Sequence, residues 1–246
     1  LICERLTHSY GSVAALDEIS FSCASGEIVA LIGRTGCGKS SILRAVAGVL
    51  TPDSGTITID GSPVATTAGL SAYMPQHDAL LPWRSALDNA IFGAQLRGSD
   101  MATTRPRAET LFARFGLGGF ERSWPHQLSG GMRQRVALLR TILVDARVLL
   151  LDEPFGSLDP ITRLDLQGWF ERLLADAPRT VVLVTHDVDE ALRLADRVLV
   201  LSDRPARVIE ALTVPAPRPR TLERRTEPDF ATMKRQVLQR LGALTR

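Results

Sequence analysis

The chain has 246 residues, of which 45% are apolar and 23% charged, and a formal net charge of +2. That length supports one domain, or one domain with subdomains, and the composition is that of an ordinary soluble globular protein. No stretch approaches the ~18 consecutive apolar residues of a spanning helix, so the chain is not expected to cross a membrane by itself. No signal-peptide pattern opens it either; because it begins at Leu1 rather than Met, a few further residues are expected upstream. Cys3, Cys23 and Cys37 are an odd set without C-x-x-C spacing, so neither a zinc site nor a disulfide framework is signalled, as suits a reducing compartment.

In chain order, residues 1–25 carry short strand-like pieces with a turn near Gly11. Glu27 to Ile32 is a mostly apolar run, read as a buried strand, and Ser41 to Val49 places Ile42, Leu43, Val46 and Val49 at helical spacing. Thr56 to Ile59 alternates and ends in Asp60-Gly61, a hairpin signal that, with the first pieces, predicts a small antiparallel sheet. Residues 77–127, with Pro82, Pro106, Pro125 and loop-like glycines, read as a helical insertion. A helix is predicted from Gln134 to 144, apolar strands at 148–151, 181–184 and 198–201, and helices at 161–176 and 187–195. This alternation implies an α/β fold with a mostly parallel, doubly wound sheet. Pro215, Pro217 and Pro219 break the tail, after which Phe230, Met233, Val237, Leu238 and Leu241 fit a terminal amphipathic helix, packed on its own domain in preference to lying on a membrane. Residues 203–246 carry a net +5, as ten basic less five acidic residues; a solvated arm and an anionic partner surface both fit that charge.

Three groups carry chemistry. Gly33-Arg34-Thr35-Gly36-Cys37-Gly38-Lys39-Ser40, followed by Ser41, is a phosphate cradle standing between a strand and a helix. Its backbone N–H groups face phosphate oxygens, Lys39 adds charge, and Ser40 can hold Mg²⁺. Lysine stands at only two positions, 39 and 234, against 27 arginines, so its presence here is informative. Cys37 reads as a small tolerated residue. The apolar run Val148 to Leu151 ends in Asp152 and Glu153, where Asp152 suits Mg²⁺ and strand alternation would turn Glu153 toward an attacking water. Ser129-Gly130-Gly131 before a helix is either a plain loop or a second anion site. Two such sites roughly 90 residues apart suit a two-fold dimer in which each nucleotide uses one site from each copy.

The order of these groups resembles the ATPase subunit of ABC transporters over residues 1 to about 210. The matching pieces are Tyr10, the loop 33–40, Gln76 in Tyr-Met-Pro-Gln, Leu128 to Gln134, the acidic strand 148–153, Ser157-Leu158-Asp159 and His186. Leu81-Pro82-Trp83-Arg84, Asp88-Asn89 and Phe155-Gly156-Ser157-Leu158-Asp159 are similar to the nitrate/sulfonate/taurine importer branch. Ser157, Leu139 and Thr141 stand where small Ala is common in that branch. The resemblance implies a P-loop NTPase core, a nucleotide-binding domain over 1–210 with a helical subdomain about 77–145, and a Pro/Arg-rich tail over 211–246. It implies ATP and Mg²⁺ as cofactors. Tyr10 would stack on adenine, although a packed surface tyrosine is the plain alternative. Residues 33–41 would hold the phosphates; Ser40, Gln76 and Asp152 would serve the metal. Gln76 would sense the γ-phosphate, Glu153 would act as general base and His186 would contact the γ-phosphate. Ser129, Gly130 and Gly131 would reach the nucleotide of the other copy, and Asp159 would support the seam. His8, His77 and His126 read as structural.

The implied partners are a second copy, a separate membrane permease and, indirectly, a solute-binding protein, at the cytoplasmic face of the membrane. An exporter ATPase remains open as an alternative. A DNA-repair or translation ATPase would carry long coiled-coil insertions or tandem halves, which the sequence lacks, and no aromatic interleaving supports nucleic acid as a partner.

Overall fold

The computed structural model describes residues 1–64 and 70–242. In chain order its strands and helices are β1 (Ile2–Tyr10), β2 (Val13–Ser22), β3 (Ile28–Ile32), α1 (Lys39–Val46), β4 (Ser54–Ile59), β5 (Ser62–Pro63) and β6 (Ser71–Met74). There follow α2 (Ala86–Leu96), α3 (Met101–Arg114), α4 (Gly130–Leu143), β7 (Val148–Asp152), α5 (Pro160–Asp176) and β8 (Thr180–Thr185). The chain continues through α6 (Val188–Leu194), β9 (Arg197–Leu201), β10 (Val208–Thr213) and α7 (Pro228–Arg240).

Two sheets result. The larger has the order β10-β9-β3-β8-β7-β6, with its five inner and far strands parallel and β10 antiparallel at one edge. Its strands are continuous apolar runs because both faces are covered. Side-chain alternation splits each run between two cores. Ile28, Ala30, Ile32, Leu149, Leu151, Val181 and Leu183 face the core built with α2 to α7. Val29, Leu31, Val148, Leu150, Val182 and Val184 face the core shared with α1 and the second sheet. That second sheet is antiparallel, in the order β2-β1-β4-β5. Its hairpin β4–β5 turns at Asp60 (φ 52) and Gly61 (φ 77), two successive left-handed residues as a two-residue hairpin of this hand needs.

Several boundaries differ from the pattern reading. α1 stops at Val46, and Val49 is exposed rather than part of the apolar stripe. α4 begins at Gly130, not Gln134, because the Ser129 hydroxyl accepts the Met132 N–H at 3.2 Å and so caps a helix that the glycines alone would not favour. α3 runs through Pro106, whose ring lies on an exposed face where the lost N–H costs only one bond. β10 spans residue 210, and α7 buries Phe230 and Val237 in the helical core. Burial of that kind contributes roughly 1.5–3 kcal/mol per side chain. Residues 243–246 of the tail lie outside the described residues.

Candidate functional site

The loop between β3 and α1 is shaped by what crowds it. Gly38 has φ +126, and a Cβ there would stand 2.8 Å from the Ala15 carbonyl oxygen, so only glycine fits. Lys39 is buried and curls back, its Nζ donating to the carbonyls of Gly33 at 2.7 Å and Arg34 at 2.9 Å. A cleft of about 160 Å³ lies over this turn, lined by Thr35, Gly36, Gly38, Lys39, Ser40, Ser41, Gln76, Glu153 and Arg204. Gly33 and Arg34 face a neighbouring cavity with His186 and Val188, lined also by Leu238 of α7 and by Leu241 and Gly242 just after it.

β7 delivers both carboxylates. Asp152, its last residue, is buried and accepts a hydrogen bond from Ser40. Burial raises its pKa above the ordinary aspartate value, with the Glu153 charge adding to the rise and the Ser40 bond, Arg44 and Lys39 opposing it. Glu153 lies one residue past the strand and has φ 50. Its orientation therefore comes from a left-handed backbone, not from the strand alternation expected of it. Its backbone is pinned on both sides, by Glu153 N donating to Val184 O at 2.9 Å and by Gln134 Nε2 donating to its carbonyl at 3.2 Å. Gln76 Nε2 reaches Glu153 Oε2 at 3.4 Å, and His186 Nδ1 stands 3.2 Å from Oε1. Gln76, Glu153 and His186 thus converge on one carboxylate beside the loop.

The oxygen donors Ser40, Asp152, Gln76 and Glu153 match the preference of Mg²⁺. Among the described residues no cluster of three or more His, Cys, Asp or Glu could hold a metal alone.

Tyr10 ends β1, is 47% exposed, and bonds Ser41 Oγ through its hydroxyl at 3.2 Å, with the His8 ring edge-on at 4.7 Å. Cys37 is buried, its sulfur 2.8 Å from where a Gly33 Cβ would stand. Ser129, Gly130 and Gly131 do not line the cleft: they form the N-terminus of α4, with Ser129 and Gly130 exposed and Gly131 beside Ser157 and Leu158 of the same chain. Asp159 caps α5, accepting the Thr162 N–H at 3.0 Å.

Two features were not evident from motifs. Arg204 reaches the cleft from the β9–β10 loop, donating from Nε (3.0 Å) and Nη2 (2.5 Å) to Gly36 O. No spacing rule singles out an arginine so far along the chain. The segment leaving Gln76 is bolted to α4: Arg133 Nε donates to Asp78 Oδ2 at 2.8 Å, and Arg140 donates to the carbonyls of Asp78 (2.7 Å) and Ala79 (2.8 Å). The arginines' i, i+7 spacing on one helix was the available signal.

The sheet, the glycine-bent loop opening α1 and the acidic end of β7 define a P-loop nucleoside triphosphatase of the ATP-binding-cassette kind. The ABC transporter family is matched over residues 16–156. The taurine import ATP-binding protein TauB of Yersinia pestis bv. Antiqua is 42% identical over 205 residues, 83% of this chain and 80% of the relative. The aliphatic sulfonates import ATP-binding protein SsuB 1 of Rhodococcus jostii is 44% identical over 234 residues, 95% of this chain and 90% of the relative. A solved dimer of the ATP-binding cassette MJ0796 in a post-hydrolysis state, bound to ADP and Pi, superposes with a TM-score of 0.79 at 25% identity, covering 87% of this chain and 99% of that one. The chain belongs to the ABC transporter family, as an ATP-binding subunit with ATPase activity.

Proposed function

We propose that this subunit powers an importer of small sulfonate-like organic or oxyanion solutes. Two copies close around two ATP molecules and drive a separate membrane permease, fed by a solute-binding protein, from the cytoplasmic face. Within each copy, residues 33–41 and Tyr10 hold the nucleotide. Ser40, Asp152 and Gln76 would hold Mg²⁺, which would neutralise phosphate charge. Glu153 takes the proton of the attacking water, His186 contacts the γ-phosphate, and Gln76 reports its presence. Ser129, Gly130 and Gly131 serve the nucleotide of the other copy. The nucleotide-binding domain runs through β10, with its helical part about 77–145, and the tail follows it.

The convergence of Gln76 and His186 on Glu153 beside the loop carries this reading. Phosphoryl transfer asks for positioning and charge more than for covalent chemistry, and this group supplies both. Among the described residues no helix is long and apolar enough to cross a membrane. Trp83, 69% exposed on the loop before α2, is a natural contact for it. That loop is held rigid by the buried Asn89, whose Nδ2 donates to Leu81 O at 3.1 Å and Arg84 O at 3.0 Å.

The test is ATP turnover by this subunit reconstituted with its permease and binding protein in vesicles. An alkanesulfonate is expected to stimulate turnover, and Lys39→Ala to abolish both ATP binding and turnover. Normal turnover in Lys39→Ala refutes the cradle; stimulation by an unrelated solute class alone refutes the substrate assignment.

A further inference from the structure

The loop joining β9 to β10 is tied to the phosphate loop and to the antiparallel sheet at the same time. Ala206 N donates to Ala15 O at 2.9 Å, and Asp17 N donates to Ala206 O at 3.0 Å. Arg207 pairs with Asp17. Ala206 Cβ lies 3.2 Å from where a Gly38 Cβ would stand. This anchoring fixes Arg204 at the rim of the cleft, where its guanidinium bonds the Gly36 carbonyl and lines the same space as Lys39.

The guanidinium of Arg204 meets the Gly36 carbonyl and no carboxylate among the described residues. Its neighbours Arg34 and Asp203 pair with each other at 3.7 Å, and Arg207 is taken by Asp17. Arg204 has no carboxylate partner among the described residues. Arginine carries five N–H donors in a fixed fork that matches phosphate oxygens; two serve one carbonyl here. An unpaired cation held against a carbonyl of the phosphate loop, in the lining of the phosphate cleft, has one evident use.

We propose that Arg204 is a second cationic contact for the polyphosphate of the bound nucleotide, working beside Lys39. The inference rests on the nucleotide-site reading above and deepens it by naming a residue outside the recognised motifs. Pivoting on its anchored loop, Arg204 keeps its hold on Gly36 while its free donors face a phosphate oxygen. The contact is made to substrate and product polyphosphate alike, so it acts on binding more than on the chemical step.

The experiment is steady-state ATPase kinetics and ATP binding by the full chain for Arg204→Gln, Arg204→Lys and Lys39→Ala, at low and high salt. Arg204→Gln keeps an amide donor for Gly36 but loses the charge. It is expected to raise KM and Kd for ATP on the order of tenfold at low salt, with kcat within about twofold, since one phosphate–cation contact near a surface is worth at least a few-fold in affinity. Arg204→Lys is expected to recover most of that loss, and the salt dependence of Kd is expected to flatten in Arg204→Gln. A strut that merely holds the loop predicts otherwise: Arg204→Gln with wild-type KM, or a fall in kcat with KM unmoved. Either result overturns the proposal while Lys39→Ala remains inactive. If wild-type protein binds no ATP, or Lys39→Ala binds it normally, the nucleotide-site reading falls and this inference with it.

Discussion

Glu190 stands one turn beyond His186, on α6, and is 3% exposed. Its Oε2 accepts from Gln167 Nε2 at 3.2 Å, while its Oε1 is buried with no hydrogen-bond partner among the described residues. Burial, and then the Asp187 charge, push its pKa up to about 8; Thr185, Arg163 and Gln167 oppose the rise. The folded-state value lies above the unfolded one, so folding favours the neutral acid. The stability this group contributes is therefore complete below the unfolded glutamate pKa and is lost as pH climbs through about 8. Native protein is expected to lose stability with rising pH in that window, by at most about 1.4 kcal/mol per pH unit. Glu190→Gln, neutral at every pH and close in shape, is expected to flatten the dependence and to be the more stable of the two at pH 8. Urea midpoints across the window decide it, and parallel curves for the two proteins would show that Glu190 is not the titrating group. The sequence exposed nothing of this: a glutamate in Asp-Val-Asp-Glu gives no local sign of burial, and its place beside Gln167 of α5 comes from the tertiary fold.

At the scale of elements, the parts that were legible are those written in local rules. The strand–loop–helix of residues 28–46, the Asp-Gly hairpin and the apolar strands of the parallel sheet follow from periodicity and turn chemistry. The glycine-rich turn and the place of Asp152 at the end of β7 were legible for the same reason, since neighbours in sequence set them, whereas the left-handed backbone that orients Glu153 was not. What depends on distant neighbours was not. Arg218 and Arg220, between prolines, read as part of a solvated arm, yet both turn inward. Arg218 donates to Asp196 Oδ1 and Gly26 O, each at 2.9 Å. Arg220 is buried, and its Nη1 donates to the carbonyls of Leu192 (3.3 Å), Arg193 (2.8 Å) and Ala195 (2.7 Å), the open end of α6. Burial lowers its pKa to about 10. Arg220→Ala leaves those carbonyls buried without donors, at a cost of about 1–3 kcal/mol each when unrelieved. A loss of roughly 3 kcal/mol or more is expected in denaturant unfolding. A change below about 1 kcal/mol would mean that water or a neighbouring donor replaces the guanidinium.

At the scale of the whole molecule, the two features read as anion sites stand apart within one copy. The cleft over Lys39 holds Gln76 and Glu153, whereas Ser129 and Gly130 lie exposed at the start of α4, outside its lining. In the proposed assembly the cleft of each protomer pairs with the α4 N-terminus of its twin. The internal links suit such a motion. Arg133 and Arg140 tie α4 to the segment following Gln76, and Gln76 touches Glu153. A change at the γ-phosphate would therefore reach the helical subdomain and the exposed Trp83 loop. Glu153→Gln separates closure from cleavage. Glutamine keeps the size and polarity of the side chain, and position 153 already tolerates a non-glycine residue at φ 50. What it removes is the carboxylate proposed as proton acceptor, a role worth about 10²–10⁴-fold. With magnesium and ATP the variant is expected to bind nucleotide, to hydrolyse it at least ~10²-fold more slowly, and to accumulate as a dimer in light scattering. Dimer present with ATP and absent with ADP would tie assembly to the uncleaved triphosphate. A variant that stays monomeric at saturating ATP leaves the shared-site arrangement without support, and one that turns over at the native rate removes Glu153 from the role of base.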